Sequence, residues 1–326
     1  MPNNPKIGIA LSGASGRAIA HIGVLEVLRE NNIPIDVITG CSSGALIAAS
    51  YATGTMVKLR EFINELTLGK LFRMMSAKEA SGGLFHLRGA HKWIENFTKG
   101  KKFEEVQPKL GFVATDLDTG ELITISKGDL LTAFKATTAV PGLFEPMIID
   151  GKILVDGGLV NIVPTEAARA MGADIVIGVN IAATKFIYEK RLPIWKGYRL
   201  FTRLLGLQFI REKLLAFSSR MFFQIDTQSD FLEEDDIQVP GTISVLAKAL
   251  DHSLAISQQW TDSNMACDLM LEPRVKHLAG TDFSKFKEIY EEGRRSARVA
   301  VPEIKKIIEN FSKQPAAETK QIVKPA

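Results

Sequence analysis

Cysteine is scarce in this sequence: Cys41 and Cys267 are the two present, too few for a disulfide framework and without the spacing of metal ligands. We therefore expect a reducing, cytoplasmic compartment and no metal or other cofactor. No apolar run approaches the length of a membrane span, and residues 1–6 lead straight into an apolar segment with no visible signal peptide. The net charge of +3 is too small to indicate a nucleic-acid partner.

The chain is long enough for one large α/β domain or for two ordinary ones. Its 326 residues are 46% hydrophobic and 24% charged, as in a soluble globular protein. We expect a single α/β domain over residues 1–311, with a helical insertion near 185–240 that is rich in basic and aromatic residues. We also expect a pair of helices within 284–311 and a disordered tail at 312–326, which is polar and contains two prolines.

A strand, a tight turn and a helix are predicted in succession around Ser42. A short apolar strand ends at Thr39, Gly40-Cys41-Ser42-Ser43-Gly44 fits the pattern G-x-S-x-G, and residues 45–49 are good helix formers. In this context the pattern predicts a nucleophile elbow. Small residues flank the serine because such a turn crowds the backbone, and the helix N-terminus supplies N–H groups and positive potential for a developing negative charge. The alternative is a glycine- and serine-rich turn without chemistry.

A loop of small residues, Ser12 to Arg17, follows the first predicted strand and precedes a helix. With the strand of the elbow it completes a βαβ unit. A dinucleotide-binding loop is one interpretation, but G-x-G-x-x-G is absent and Asp36 precedes the second strand instead of ending it. The other is an oxyanion hole, because backbone N–H groups face an anion only where side chains do not cover them. Arg17 then either adds a fixed positive charge or is a solvated arginine.

Asp156 ends a predicted hydrophobic strand and is followed by Gly157 and Gly158. A carboxylate at a strand end, beside small residues, can approach a serine hydroxyl as a general base. An unperturbed aspartate is a weak base near neutral pH, so this role requires burial that raises its pKa, or a concerted proton transfer. The alternative is an ordinary turn aspartate, which is common before glycine.

Four blocks together resemble the patatin-like phospholipases, especially the bacterial branch related to neuropathy target esterase, and they occur in that family's order. The blocks are Gly13 to Gly23, Gly40 to Gly44, Ala139 to Phe144 with Pro146, and Asp156 to Gly158. The resemblance is dense over roughly residues 6–182 and loose over 265–300, and an ordered set of motifs is far more specific than any single one.

The resemblance implies a three-layer α/β/α sandwich with a mostly parallel central sheet. It also implies hydrolysis of phospholipids or other acyl esters by a Ser–Asp dyad without histidine, with Ser42 as nucleophile and Asp156 as base. The oxyanion hole would be formed by the backbone of Gly13, Ala14, Ser15, Gly16 and Arg17.

The loop departs from the family pattern, which is nearly all glycine around its basic residue. Ala14, Ser15 and Ala18 occupy three of those glycine positions, while Arg17 is retained. Because left-handed backbone is strained for residues with a β-carbon, we expect an oxyanion hole that is narrower, rearranged or poorly formed. A catalytically weak lipid-binding or regulatory module on the same fold is therefore an alternative function. A Ser–Asp–His triad esterase using His252 or His277 is another.

Residues 185–223 combine nine basic side chains with interleaved aromatic ones and contain two acidic residues, Glu189 and Glu212. This composition suits the interface of an anionic bilayer, which predicts peripheral contact of a cytoplasmic protein with the membrane. The alternative is an ordinary helical insertion that packs on the sheet and exposes its basic face to solvent.

Overall fold

The computed structural model describes residues 4–66, 70, 83–85, 94–182, 253, 266–278, 280 and 283–313. These residues belong to one compact unit, which combines the segment that ends at 185 with the segment that begins at 246. The insertion predicted near 185–240, the segment 185–223, His252 and the part of the predicted tail beyond residue 313 lie outside the described residues.

A central sheet of eight strands organises the described residues. Its strands are β1 (Ile7–Leu11), β2 (Val37–Cys41), β4 (Lys109–Asp116), β5 (Leu122–Ile125), β7 (Met147–Ile149), β8 (Lys152–Asp156), β9 (Ile175–Val179) and β10 (Leu269–Leu271). They follow the order β10-β9-β1-β2-β4-β8-β7, and β5 pairs with β4 beside this path. Two further strands, β3 (Gly83–Phe85) and β6 (Gly142–Phe144), pair with each other.

Most of the sheet is parallel, as the sequence predicts. β1 pairs in parallel with β2 and β9, β2 with β4, and β9 with β10. Every residue of β1, β2 and β9 is buried, which matches their continuous apolar runs and is typical of parallel strands covered on both faces. β5, β7 and β8 add antiparallel pairs. The predicted βαβ unit is therefore confirmed.

Helices cover both faces of the sheet. They are α1 (Ile19–Glu30), α2 (Ser43–Ala52), α3 (Met56–Asn64), α4 (Leu130–Thr137), α5 (Thr165–Ala170) and α6 (Phe286–Lys313). Alternate residues of a strand point to opposite faces. Thus Ile9 and its alternate neighbours on β1 join the large apolar cluster that includes α1. On the opposite face, a β-carbon at Gly8 would lie 2.6 Å from that of Ala173 and 3.3 Å from that of Ala168. The expected three-layer α/β/α architecture is confirmed.

The C-terminal helix packs closely on α1. A β-carbon at Gly293 would lie 2.0 Å from the carbonyl oxygen of Ala20, so glycine permits this contact. Arg294 of α6 also pairs with Glu26 and Glu30 of α1. Residues 284–311 form no pair of helices, because α6 continues through Pro302 to residue 313. The prediction of a helix pair is thus wrong, and the first two residues of the predicted tail are helical. Within the described ranges, no helix combines the length and apolar character needed to cross a bilayer.

Two neighbouring positions on β4 align the ends of β2 and β8. Cys41 at the end of β2 pairs with Val113, and Asp156 at the end of β8 pairs with Ala114. The two strands flank β4, so the residues that follow Cys41 emerge beside Asp156. Functional sites of open α/β sheets lie at this edge, outside the carboxyl ends of the parallel strands.

Candidate active site

Ser42 occupies a sharp turn between β2 and α2. Its backbone has φ 51° and ψ −122°, a left-handed conformation that is strained for a residue with a side chain. The flanking glycines are required by space: a β-carbon at Gly40 would lie 2.6 Å from Cα of Ala45, and one at Gly44 would lie 2.5 Å from the carbonyl oxygen of Leu11. The small residues predicted around Ser42 therefore allow the tight strand-to-helix turn.

Asp156 lies against Ser42 in a nearly closed environment. The residue is 5% exposed, and the Ser42 hydroxyl lies close enough to its carboxylate to lower the pKa of that group. Its Oδ1 atom also accepts the Gly158 N–H at 2.8 Å. The adjoining Gly157 needs its missing side chain, because a β-carbon there would lie 2.4 Å from the carbonyl oxygen of Val113. The structure thus brings together the serine and the aspartate that the sequence predicts as a pair.

Burial changes the acid–base behaviour of this carboxylate. Desolvation raises the pKa of Asp156 to about 6, while hydrogen bonds from Gly158, Ser42 and Cys41 act in the opposite direction. At neutral pH the group is therefore mostly ionised, yet it is a stronger base than an ordinary aspartate. This is the environment that the sequence argument required for an aspartate acting on a serine hydroxyl.

Cys41, the residue before Ser42, contacts the same carboxylate. Its Sγ atom lies 3.8 Å from Oδ1 of Asp156, and the side chain is completely buried. Burial and the charge of Asp156 raise the pKa of the thiol well above its usual value, so the thiol stays protonated and donates. Sequence reasoning missed this residue. Its place in the elbow offered a signal, since alternation along β2 puts its side chain on the face opposite to its neighbours.

The end of α4 holds the backbone of both Ser42 and Asp156. The Ser42 N–H donates to Oγ1 of Thr137 at 2.9 Å. The Asp156 N–H donates to the carbonyl oxygen of Ala139 at 3.0 Å. Ala139 begins the block before the aspartate that carries part of the family resemblance, and Thr137 lies two residues before that block. The sequence alone gave neither residue a role.

The loop of small residues has left-handed backbone at one of the three unusual positions. Ser15 has φ 52°, whereas Ala14 has φ 170°, which is extended, and Ala18 has φ −57°, which is helical. Residues 15–18 form a short 3₁₀ helix. The strain that left-handed backbone causes therefore applies to Ser15, while the φ values of Ala14 and Ala18 lie in regions that any residue adopts.

Most N–H groups of this loop already have partners inside the protein. Among the described residues, Ser15 alone of the five loop residues keeps an N–H group without an acceptor. The other four N–H groups donate as follows: Gly13 to Ile162 O at 3.3 Å, Ala14 to Ser43 Oγ at 3.1 Å, Gly16 to Gly280 O at 2.7 Å, and Arg17 to Ala14 O at 3.2 Å. The loop is thus rearranged relative to an open row of donors.

Arg17 ties the loop to a distant part of the chain. Its Nε atom donates to the carbonyl oxygen of Leu278 at 2.7 Å, next to the bond between Gly16 and Gly280. Burial lowers the pKa of the guanidinium from its ordinary value. Arg17 is thus half-buried and bonded through Nε instead of fully solvated, and its contact with Leu278 was not predicted.

His21 and His277, the two histidines among the described residues, lie apart from the site formed by Ser42 and Asp156. His277 is an exposed residue whose Nε2 atom lies 3.6 Å from Oε1 of Glu288. His21 is completely buried and its Nε2 atom donates to the carbonyl oxygen of Ser12 at 2.9 Å. Burial lowers the pKa of His21 to about 4, so the ring is neutral under ordinary conditions. The side-chain contacts of Asp156 given above include neither residue.

Comparison with known proteins places this site in a family. Residues 9–169 match the family model described as patatin-like phospholipase. An uncharacterized NTE family protein of Mycobacterium tuberculosis is 28% identical over 179 residues, which are 55% of this chain and 50% of the relative.

Two eukaryotic proteins are similar over most of this chain. A patatin-like phospholipase domain-containing protein of Caenorhabditis elegans is 27% identical over 91% of this chain and 21% of its own length. Lysophospholipase NTE1 of Coccidioides immitis is 27% identical over 88% of this chain and 17% of its own length. This chain thus spans half or less of the length of the three relatives. Among solved structures, VipD of Legionella pneumophila aligns at a TM-score of 0.35 with 15% identity, covering 96% of this chain and 82% of that one.

The family match begins inside β1 and ends inside α5, so it contains the loop of small residues, Ser42 and Asp156. The chain therefore contains a patatin-like phospholipase domain over residues 9–169.

Proposed function

We propose that this protein is a serine acyl hydrolase that cleaves carboxyl esters of lipids, with Ser42 as nucleophile and Asp156 as general base. One observation carries the proposal: Ser42, in the turn directly after β2, lies beside a buried carboxylate whose pKa is raised to about 6. The names of the relatives, which include a lysophospholipase and phospholipase-domain proteins, support a phospholipid or lysophospholipid as substrate.

The chemistry follows from the two side chains. Asp156 takes the proton of the Ser42 hydroxyl while Oγ attacks the ester carbonyl, and a tetrahedral intermediate forms. The intermediate collapses, the ester oxygen leaves as an alcohol with the proton from Asp156, and the acyl group remains on Ser42. Water then attacks the acyl carbonyl as Asp156 accepts its proton. Release of the fatty acid returns that proton to Ser42.

The negative charge of the intermediate needs donors close to Ser42. We propose the Ser15 N–H, which is unpartnered among the described residues, together with the N–H groups at the N-terminus of α2. A helix N-terminus carries unpaired N–H groups and positive potential, both of which stabilise an oxyanion. Fewer loop donors are free than in an open glycine loop, and the loss of one donor typically costs roughly 100- to 1,000-fold in turnover. We therefore expect slow hydrolysis that favours short, activated esters.

Labelling with a fluorophosphonate tests the proposal directly, because such a reagent reacts with an activated serine. The expected result is one adduct, mapped by peptide mass spectrometry to the peptide that contains Ser42. The Ser42→Ala variant should remain unlabelled. Labelling of Ser43 in place of Ser42, or no labelling of a folded wild-type protein, would contradict the proposal.

A regulatory lipid-binding module is a second candidate function. It is favoured by the bonds that engage the N–H groups of Gly13, Ala14, Gly16 and Arg17, since those groups are the expected oxyanion donors. Such a protein would bind lipid vesicles but would hydrolyse a short p-nitrophenyl ester no faster than the Ser42→Ala variant. A clear difference between wild type and this variant would exclude it.

We also propose peripheral contact with anionic membranes through residues 185–223. The support is the nine basic residues of this segment against two acidic ones. Each basic residue near an anionic surface contributes on the order of 1 kcal/mol, and added salt weakens the attraction. Co-sedimentation with anionic vesicles at low salt should therefore exceed that with neutral vesicles. Equal recovery with both lipids would overturn the proposal.

A further inference from the structure

Ser42 lies where neither the sheet nor the helix supplies an acceptor for its backbone N–H group. It follows β2 and precedes α2, and its strained turn directs the N–H group to a side chain instead. The acceptor is Oγ1 of Thr137, the last residue of α4, which is completely buried. Because an unpaired polar group in a nearly dry site costs about 1 to 3 kcal/mol, this single bond matters for holding the turn.

Thr137 differs from its neighbour in how it uses its hydroxyl. Thr138 bonds its Oγ1 to the carbonyl oxygen of Phe134, four residues earlier in the same helix, as threonines in helices commonly do. The Thr137 hydroxyl instead accepts the N–H group of Ser42, which lies in the turn between β2 and α2. A β-branched side chain has restricted χ1 freedom, so the oxygen is held in place with little loss of entropy.

The segment of residues 137–139 also fixes the backbone of Asp156. The carbonyl oxygen of Ala139 accepts the Asp156 N–H at 3.0 Å. The segment is itself anchored to α4, since the N–H groups of Thr138 and Ala139 donate to Phe134 and Ala136. Residues 137–139 therefore hold the backbone of the serine with one bond and that of the aspartate with another. The position of Ser42 relative to Asp156 therefore depends on this one segment.

We infer that Thr137 is a positioning residue, which holds the Ser42 hydroxyl beside the Asp156 carboxylate. The inference rests on the proposed function for its consequence in catalysis. Thr137 touches no reacting atom; it acts through the backbone of Ser42. Loss of its oxygen lets the strained turn relax and moves the nucleophile away from the base, and a displacement of about 1 Å is enough to cost roughly 100-fold in rate.

Three variants separate positioning from general stability. Thr137→Val keeps the shape of the side chain and removes the acceptor, Thr137→Ser keeps the acceptor, and Thr138→Val is the control in the adjacent residue. On a short p-nitrophenyl ester we expect Thr137→Val to lower kcat roughly 10- to 100-fold with KM within about twofold of wild type. Thr137→Ser should recover most of the rate, and Thr138→Val should retain it.

Two results would overturn the inference. One is a kcat for Thr137→Val equal to that of Thr138→Val. The other is a Thr137→Ser variant as slow as Thr137→Val, since the hydroxyl would then not be the group that matters. If Thr137→Val fails to fold, Thr137→Ala replaces it in the same comparison with Thr137→Ser.

Hydrogen exchange keeps this test independent of the proposed function. The peptide that contains the Ser42 amide should exchange faster in Thr137→Val than in wild type or Thr138→Val, because the N–H loses its acceptor. Unchanged exchange would refute the inference whether or not the protein is an enzyme. A different result is also informative: exchange is accelerated in Thr137→Val, but wild type hydrolyses the ester no faster than Ser42→Ala. That result would support the positioning of Ser42 by Thr137 and would reject the proposed hydrolase.

Discussion

The Sγ atom of Cys41 lies 3.8 Å from the Oδ1 atom of Asp156, so the residue that precedes the proposed nucleophile also contacts the proposed base. The thiol is protonated because burial and the carboxylate raise its pKa. A protonated thiol favours the ionised carboxylate and lowers the pKa of Asp156, while burial raises that pKa to about 6. The base strength of the aspartate is therefore the balance of burial and a few weak donors.

Replacing this donor should move the pH dependence of the reaction. Cys41→Val removes the S–H group and keeps an apolar side chain of similar size, while the bonds from Ser42 and Gly158 remain. The pKa of Asp156 should rise, so the acid limb of kcat/KM should shift upward by about half a unit, as expected for a weak bond. A pH–rate profile between pH 5 and 8 measures this, with Cys267→Val as control. A limb that stays in place or moves to lower pH contradicts the account.

Asp156 should make the protein less stable as the pH rises. Its folded pKa of about 6 lies above the unfolded value, which is near 3.9. The group therefore contributes its full stability below about pH 4 and loses it as the pH rises through about 6. Asp156→Asn should be more stable than wild type at pH 8, by about 2 kcal/mol, and close to wild type at pH 4. Urea unfolding at the two pH values tests this. The same difference in unfolding free energy between Asp156→Asn and wild type at pH 4 and at pH 8 would contradict the prediction.

Ser43 should matter through the loop that it holds. Its Oγ atom accepts the Ala14 N–H at 3.1 Å and so fastens the loop to the elbow. Ser50 lies on the same helix, and its buried hydroxyl has no partner among the described residues, which makes Ser50→Ala a matched control. We expect Ser43→Ala to lower kcat about fivefold, since one lost bond is worth about 1 kcal/mol, and Ser50→Ala to leave it unchanged. Equal rates for the two variants would show that the bond is unimportant.

Glycine should have opposite effects at two positions of the loop. Ser15 has φ 52°, so Ser15→Gly removes left-handed strain of roughly 1 kcal/mol. Ala18 has φ −57°, so Ala18→Gly loses about 1 kcal/mol through added freedom of the unfolded chain. We expect a raised Tm and an equal or higher kcat for Ser15→Gly, and a lowered Tm for Ala18→Gly. If both variants shift Tm in the same direction, this account of the loop backbone is contradicted.

Local patterns predicted much of the fold and part of the site. The strand before Gly40 and the helix after Gly44 are each predicted by a run of consecutive residues, so the turn at Ser42 is predictable from the sequence. Asp156 is likewise identifiable because it ends an apolar strand and precedes two glycines. These features depend on chain geometry within a few residues.

The remaining contacts depend on tertiary packing. Thr137 reaches Ser42, Arg17 reaches Leu278, and Gly16 bonds to Gly280, each across a long stretch of sequence. No periodicity links such partners, so the engagement of the loop N–H groups was not predictable. Which of Ala14, Ser15 and Ala18 adopts left-handed backbone was not predictable for a related reason: composition shows which residues have β-carbons but does not show which φ each one adopts.

The central claim is that Asp156 acts on Ser42 as a base without a histidine. The measurement that tests it most directly is kcat/KM of Asp156→Asn on a short p-nitrophenyl ester, beside wild type, Ser42→Ala and His277→Ala. Asparagine keeps the shape of the carboxylate and one acceptor oxygen, but its NH2 group donates and it cannot take the proton. We predict a loss of at least about 1,000-fold for Asp156→Asn and Ser42→Ala, and unchanged activity for His277→Ala. A folded Asp156→Asn variant within tenfold of wild type, or a collapse of activity in His277→Ala, would contradict the dyad.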